Sequence, residues 1–206
     1  MALTWALVVL SLLPLVGAES SECANMTGTP ITNATLEMIS GKWFYIASAF
    51  RLPEFIEWAK AVPSAVVYLT PNQTENVVYF REYITFATEG KCLYNSSYMD
   101  IQKENGTFSR TEMNVYYLAY LIHTKDPATF IFAYFPEDKQ KIGLSLYANT
   151  SQVTPEQMSE FHEASKCLGF EVSEIITTDE TKSLCGPLEQ QHEEERKKKL
   201  EEAAQA

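Results

Sequence analysis

Eight runs of β-branched and aromatic residues constrain the fold of this chain most. Turn chemistry separates them, apart from one proline-bounded linker. They cover residues 42–50, 64–70, 77–86, 91–102, 107–112, 115–124, 129–135 and 143–148, with turn signals at Pro71-Asn72, Glu89-Gly90, Asn105-Gly106, Asp126-Pro127 and 136–141. Val, Ile, Tyr and Phe suit a pleated surface, and Gly and Asn at the junctions supply the backbone freedom tight turns need. Connections this short exclude the helical crossovers of a parallel sheet. The predicted fold is all-β, an eight-stranded antiparallel up-and-down barrel.

The flanks of the runs are equally readable. In Gly41-Lys42-Trp43, the glycine releases the chain from a short turn or helix over 35–40, and the indole fits the closed end of a barrel. Residues 53–63 read as a linker between Pro53 and Pro63 whose Phe55, Ile56 and Trp58 cap an opening. One helix is predicted from Thr154 as N-cap, Pro155 at the first helical position and Gln157 completing a capping box. Its face of Met158, Phe161, Ala164, Ser165 and Leu168 is expected to pack on the outside of the barrel, with Gly169 as the stop. A short strand is expected over 172–177, and 190–206, charged and helix-prone but without an apolar stripe, reads as an exposed, fraying tail. The expected organisation is a signal peptide over 1–18, one barrel domain over 19–188 and a charged tail over 189–206.

Residues 1–18 carry no charged side chain and end in Val16-Gly17-Ala18, a small-residue cleavage site, so a secreted chain starting near Glu19 is expected. The formal charge of −11 argues against nucleic acid and against anionic membranes as partners. Four cysteines in a secreted chain make two disulfides the default, and spacing leaves all three connectivities open. Neither the cysteines nor the scattered His123, His162 and His192 have metal-ligand spacing. The histidines also lack a visible nucleophile partner and there is no Gly-rich phosphate loop, so neither a metal, a cofactor nor catalysis is expected. Six of eight asparagines, Asn25, Asn33, Asn72, Asn95, Asn105 and Asn149, stand in N-x-S/T sequons. Chance would supply about one, so a heavily N-glycosylated surface is expected. Asn95, within a strand-like run beside Cys92, is the sequon most open to staying unmodified.

With G-x-W opening the first strand, eight hairpin-linked strands and one helix before the C-terminal segment, the chain resembles the lipocalins. Residues 41–51, Arg81-Glu82-Tyr83, residues 104–107 and Gly143-Leu144-Ser145 carry the resemblance. Two common family features are missing: a Thr-Asp-Tyr motif near 136–141, and an arginine after the helix to stack on Trp43. The resemblance implies disulfides Cys23–Cys167 and Cys92–Cys185, and a monomeric carrier with one enclosed ligand site.

Within 77–86 one face reads Val78, Phe80, Glu82, Ile84, Phe86 and the other Val77, Tyr79, Arg81, Tyr83, Thr85. Alternation alone does not decide which faces in. The resemblance implies that Glu82 does, that Arg110 stands at the pocket mouth, and that Tyr45, Val67, Tyr134, Ser145 and Tyr147 line the cavity. A carboxylate in an apolar wall needs a partner, and it suits lipophilic amines, while Arg110 suits acids or polarised carbonyls. The implied function is a secreted plasma glycoprotein carrying basic and neutral drugs or steroids, with an acute-phase, immunomodulatory role. Two other classes fit the residues: an interaction protein whose glycans engage lectins or cell-surface receptors, and an isomerase, which would need a free thiol.

Overall fold

A computed structural model describes Cys23, residues 28–136 and residues 142–205. The leader, its cleavage site, Asn25 and most of the 136–141 turn lie outside the described residues. The elements in chain order are α1 (Asn33–Ile39), β1 (Gly41–Phe50), α2 (Pro53–Ala61), β2 (Ser64–Asn72), β3 (Val77–Phe86), β4 (Lys91–Gln102), β5 (Thr107–Glu112), β6 (Val115–His123), β7 (Thr129–Pro136), β8 (Gly143–Ala148), α3 (Pro155–Cys167), β9 (Ile176–Thr177) and α4 (Gly186–Gln205). Strands β1 to β8 pair antiparallel in sequence order, and β1 closes the barrel by pairing with both β8 and β2. Strand β1 leaves β2 at Phe44 and takes β9 as its neighbour at Ala47 and Ser48, so β9 extends the sheet along the seam.

The lower barrel is solid. Phe80, Met99, Phe108, Leu121, Phe130 and Phe132 fill it, and Leu36 and Ile39 of α1 close its end. Trp43 lies buried in this layer, its indole N–H donating to the Ile39 carbonyl at 2.7 Å and its ring edge-on to Phe130. Gly41, at φ 112°, supplies the turn from α1 into β1 that brings the indole there.

Helix α3 begins as its sequence dictates. Thr154 and Gln157 form the reciprocal capping box, and Gly169, at φ 79°, ends it. Phe161, Ala164 and Phe170 pack with Ile46, Ala47, Ala49 and Leu146 on the outer face of the barrel. The structure joins Cys23 to Cys167 and Cys92 to Cys185.

Three segments differ from the sequence reading. The linker is a helix, α2, because Pro53 at its first turn needs no intrahelical N–H partner. The strand expected over 172–177 is a 3₁₀ turn over Val172–Glu174 followed by two paired residues. The tail is helix α4, whose first half is docked on the outer face of β2–β4. Glu189 meets Lys42 at 2.5 Å and accepts from the Tyr68 hydroxyl at 2.6 Å, while Arg81 meets Glu193 at 3.0 Å. The His192 ring stands edge-on to Tyr94 at 4.7 Å. Residues 197–205 are exposed.

Candidate functional site

Above the packed layer the barrel opens to solvent through a cavity. Tyr45 and Phe50 come from β1, Glu82 from β3, Met99 from β4, Arg110 and Glu112 from β5, Tyr117 from β6, Tyr134 from β7, and Ser145 and Tyr147 from β8. Phe55 and Trp58 of α2 and Met113 of the β5–β6 turn line the rim.

A bulge in β1 shapes this wall. The register with β8 shifts between Tyr45 and Ala47, so Tyr45 and Phe50, of opposite parity, both line the cavity, while Ile46 packs outside against α3. The Tyr45 hydroxyl donates to Ser48, which is fully buried. Phe50 fits its place because its partner Gly143 has no side chain; a Cβ there would lie 2.3 Å from the Phe50 ring.

Glu82 faces inward with Val78, Phe80 and Ile84, which are buried. Tyr83 and Thr85 on the opposite face are buried too, beneath α4 and the Cys185 segment. Both faces of β3 are covered, which is why alternation could not distinguish them. Glu82 Oε2 lies 3.5 Å from the Arg110 guanidinium and accepts from Asn95 Nδ2 at 2.7 Å. Arg110 also meets Glu112 at 3.4 Å and lies over the Phe80 ring, and Glu112 accepts from the Tyr117 hydroxyl at 3.1 Å. Two carboxylates against one guanidinium leave this wall negative by one charge when all are ionised. Burial pushes the Glu82 carboxyl above its usual range; Arg110 and the Asn95 hydrogen bond pull it back, and Glu112 adds to the rise. Burial also raises the tyrosine hydroxyls, Tyr134 up to about 12. The tyrosines are therefore neutral hydrogen-bonding groups at neutral pH, with Tyr134 and Tyr147 at 3.3 Å from one another.

Six of the seven sequence-predicted cavity residues thus line the one cavity. Val67 does not: it is buried in the packed layer, opposite Glu82 and Trp43 in the strand pairing. Phe50, Met99, Glu112, Met113 and Tyr117 were missed. Glu112 was legible, since it follows Arg110 by two residues in a strand and so shares its face. Met113 was not: it holds φ 50° in a two-residue turn with Asn114 at φ 63°, a backbone state that gives a methionine no sequence signature.

Residues 40–182 match the model of the lipocalin / cytosolic fatty-acid binding protein family. The chain belongs to the lipocalin family. Curated lipocalins named alpha-1-acid glycoprotein resemble it along nearly its whole length. The Bos taurus protein is 50% identical over 202 residues, covering 98% of this chain and 99% of its own. The Oryctolagus cuniculus protein is 46% identical over 203 residues, covering 98% and 100%. A solved lipocalin-type structure, described as "The Siderocalin Ex-FABP functions through dual ligand specificities", aligns with a TM-score of 0.56 at 12% identity over 68% of this chain and 93% of its own, a likeness of fold alone. Among the described residues no group of acidic, histidine or cysteine side chains is arranged to hold a metal, and no helix is long and apolar enough to cross a membrane.

Proposed function

We propose that this lipocalin is a secreted plasma carrier of lipophilic small molecules, with amines its preferred charged class and neutral drugs or steroids bound by apolar contact. The observation that carries the proposal is an aromatic cavity, open to solvent, whose polar wall sets two carboxylates, Glu82 and Glu112, against the one guanidinium of Arg110. Apolar lining with a few convergent polar groups is the general design of small-molecule sites. The leader over 1–18 supports secretion. Both disulfides occupy all four cysteines, which leaves no thiol for an isomerase mechanism. An acute-phase, immunomodulatory role belongs to this proposal through the alpha-1-acid glycoprotein relatives.

A second reading, interaction with lectins or cell-surface receptors through glycans, is favoured by the exposure of Asn33, Asn95, Asn105 and Asn149. At Asn72 the side-chain carbonyl accepts from Thr74 and Glu75, which leaves its amide nitrogen free for a sugar. Tryptophan fluorescence of the enzymatically deglycosylated protein separates the two readings. Trp58 sits on the rim, edge-on to Tyr45 at 5.7 Å, so a bound ligand perturbs it. Saturable quenching by a lipophilic amine near micromolar concentration is the expected result. No saturable change with either the amine or a neutral steroid would overturn the carrier reading in favour of the glycan-mediated one.

A further inference from the structure

The sequon Asn95-Ser96-Ser97 lies on β4 directly across from the cavity carboxylate, with Glu82 and Asn95 paired in the strand register. The atom that would carry the sugar, Asn95 Nδ2, is the one that donates to Glu82 at 2.7 Å. Strand β4 pairs with β5 only at Asp100, Ile101 and Gln102, so Asn95 stands where β4 has no β5 partner, and it is exposed. A glycan there has a route outward. Ser97 is the third residue of the sequon. It lies opposite Phe80, and its hydroxyl is buried with no hydrogen-bond partner among the described residues. A buried orphan hydroxyl costs the fold stability.

We propose that occupancy of the Asn95 sequon sets the amine preference of the cavity. With a free amide, Asn95 occupies the Glu82 carboxylate. With a sugar on Nδ2, the side chain turns to solvent and leaves that carboxylate to a ligand ammonium. The inference rests on the carrier reading above. The modification replaces one Nδ2 hydrogen with a sugar C1. The C1–N bond forms as the C1–O bond to a lipid-linked diphosphate donor breaks; the diphosphate leaves with the bonding pair and the amide proton passes to a base. One N–H remains, attached to a group too bulky to stay directed at Glu82 inside the wall.

The test uses the full chain expressed in an N-glycosylating host, as wild type, Ser97→Ala and Asn95→Ala. Ser97→Ala removes the sequon and leaves the Asn95 amide, while the other five sequons stay as they are. Peptide mass gives Asn95 occupancy. Calorimetric titration with N,N-dimethyldodecylamine, and with 1-dodecanol as its neutral counterpart, gives affinity. The expected pattern is an occupied Asn95 in wild type and about ten- to hundredfold weaker amine binding in Ser97→Ala, the scale of one hydrogen bond to a charged group. Asn95→Ala, which lacks both sugar and amide, should bind the amine like wild type, and dodecanol should bind all three alike. An unmodified Asn95 in wild type, equal amine affinity in wild type and Ser97→Ala, or a dodecanol shift of the same size each overturns the proposal. If dodecanol binds throughout while amine affinity is flat, only this coupling falls. If neither ligand binds any form, the carrier reading falls and the coupling with it.

Discussion

Glu82 is an acid held where ionisation is costly, beside one cation and a second acid. Its raised pKa fixes the sign of a pH effect. A carboxyl shifted upward keeps its proton at pH values where an exposed glutamate has lost it. A lipophilic amine stays protonated throughout that range, so its attraction to the site depends on Glu82 losing its proton. Amine affinity should therefore rise as pH increases from the ordinary carboxylate range through the raised pKa, and then level off. Glu82→Gln should flatten that profile and weaken amine binding at neutral pH about tenfold, roughly 1.4 kcal/mol, while leaving a neutral steroid unaffected. Titrations across pH on both proteins check this. A pH-dependent profile that persists in Glu82→Gln would show that Glu82 is not the group that governs amine binding.

Among the elements, α4 is held by charge and aromatic edges. Its anchor residues Glu189, His192, Glu193 and Arg196 are polar, and the apolar share of the contact comes from Tyr68, Tyr83 and Tyr94 of the sheet. Burial alone would raise the Glu193 carboxyl, but hydrogen bonds from Arg196 and Arg81 outweigh it and hold the pKa down. A depressed carboxylate contributes stability that is present above its unfolded-state value and lost as pH falls through the folded one. The dock should therefore loosen in acid, below the ordinary glutamate range, seen as a loss of near-ultraviolet tyrosine dichroism while the far-ultraviolet sheet signal persists. Glu193→Gln should cost about 1 kcal/mol or less at neutral pH, as expected of ion pairs open to solvent. A dichroism signal unchanged in acid would show that the tyrosine edges alone hold the helix. The same chemistry explains what was legible. The bounds of the strands follow from turn residues and period-two patterns, and α3 from its capping box and apolar face. Helix α4 offered no stripe to read because its partner surface supplies the rings, and α2 hid behind two prolines of which one starts a helix. In the cavity, the inward glutamate and the tyrosines were accessible through resemblance. The β1 bulge that turns both Tyr45 and Phe50 into the cavity, and the depth that removes Val67 from its lining, depend on pairing across strands far apart in sequence.

The whole molecule divides into a packed lower barrel, an open upper barrel and an outer layer of helices, with the two disulfides stitching the outer layer to the rest. Cys92–Cys185 ties β4 to the segment before α4, across 93 residues, and Cys185 is buried. Cys23–Cys167 ties the N-terminal segment to the end of α3, across 144. Cross-links closing loops this long act chiefly by limiting the unfolded chain, and loss of one typically costs about 2–5 kcal/mol. No cysteine lines the cavity. The double substitution Cys92→Ala, Cys185→Ala should therefore lower the melting temperature by roughly 5–15 °C, at about 2–4 °C per kcal/mol for a domain of this size, and leave amine affinity well below that temperature unchanged. Calorimetry and ligand titration on the same preparation read both quantities. An unchanged melting temperature would mean that the polar dock of α4 already closes the loop without the bond. Lost binding in a protein that still melts cooperatively would mean that this bridge, through the pairing of β4 with β3, holds Glu82 in its place in the cavity. In that case the cavity and the outer layer are one mechanical unit.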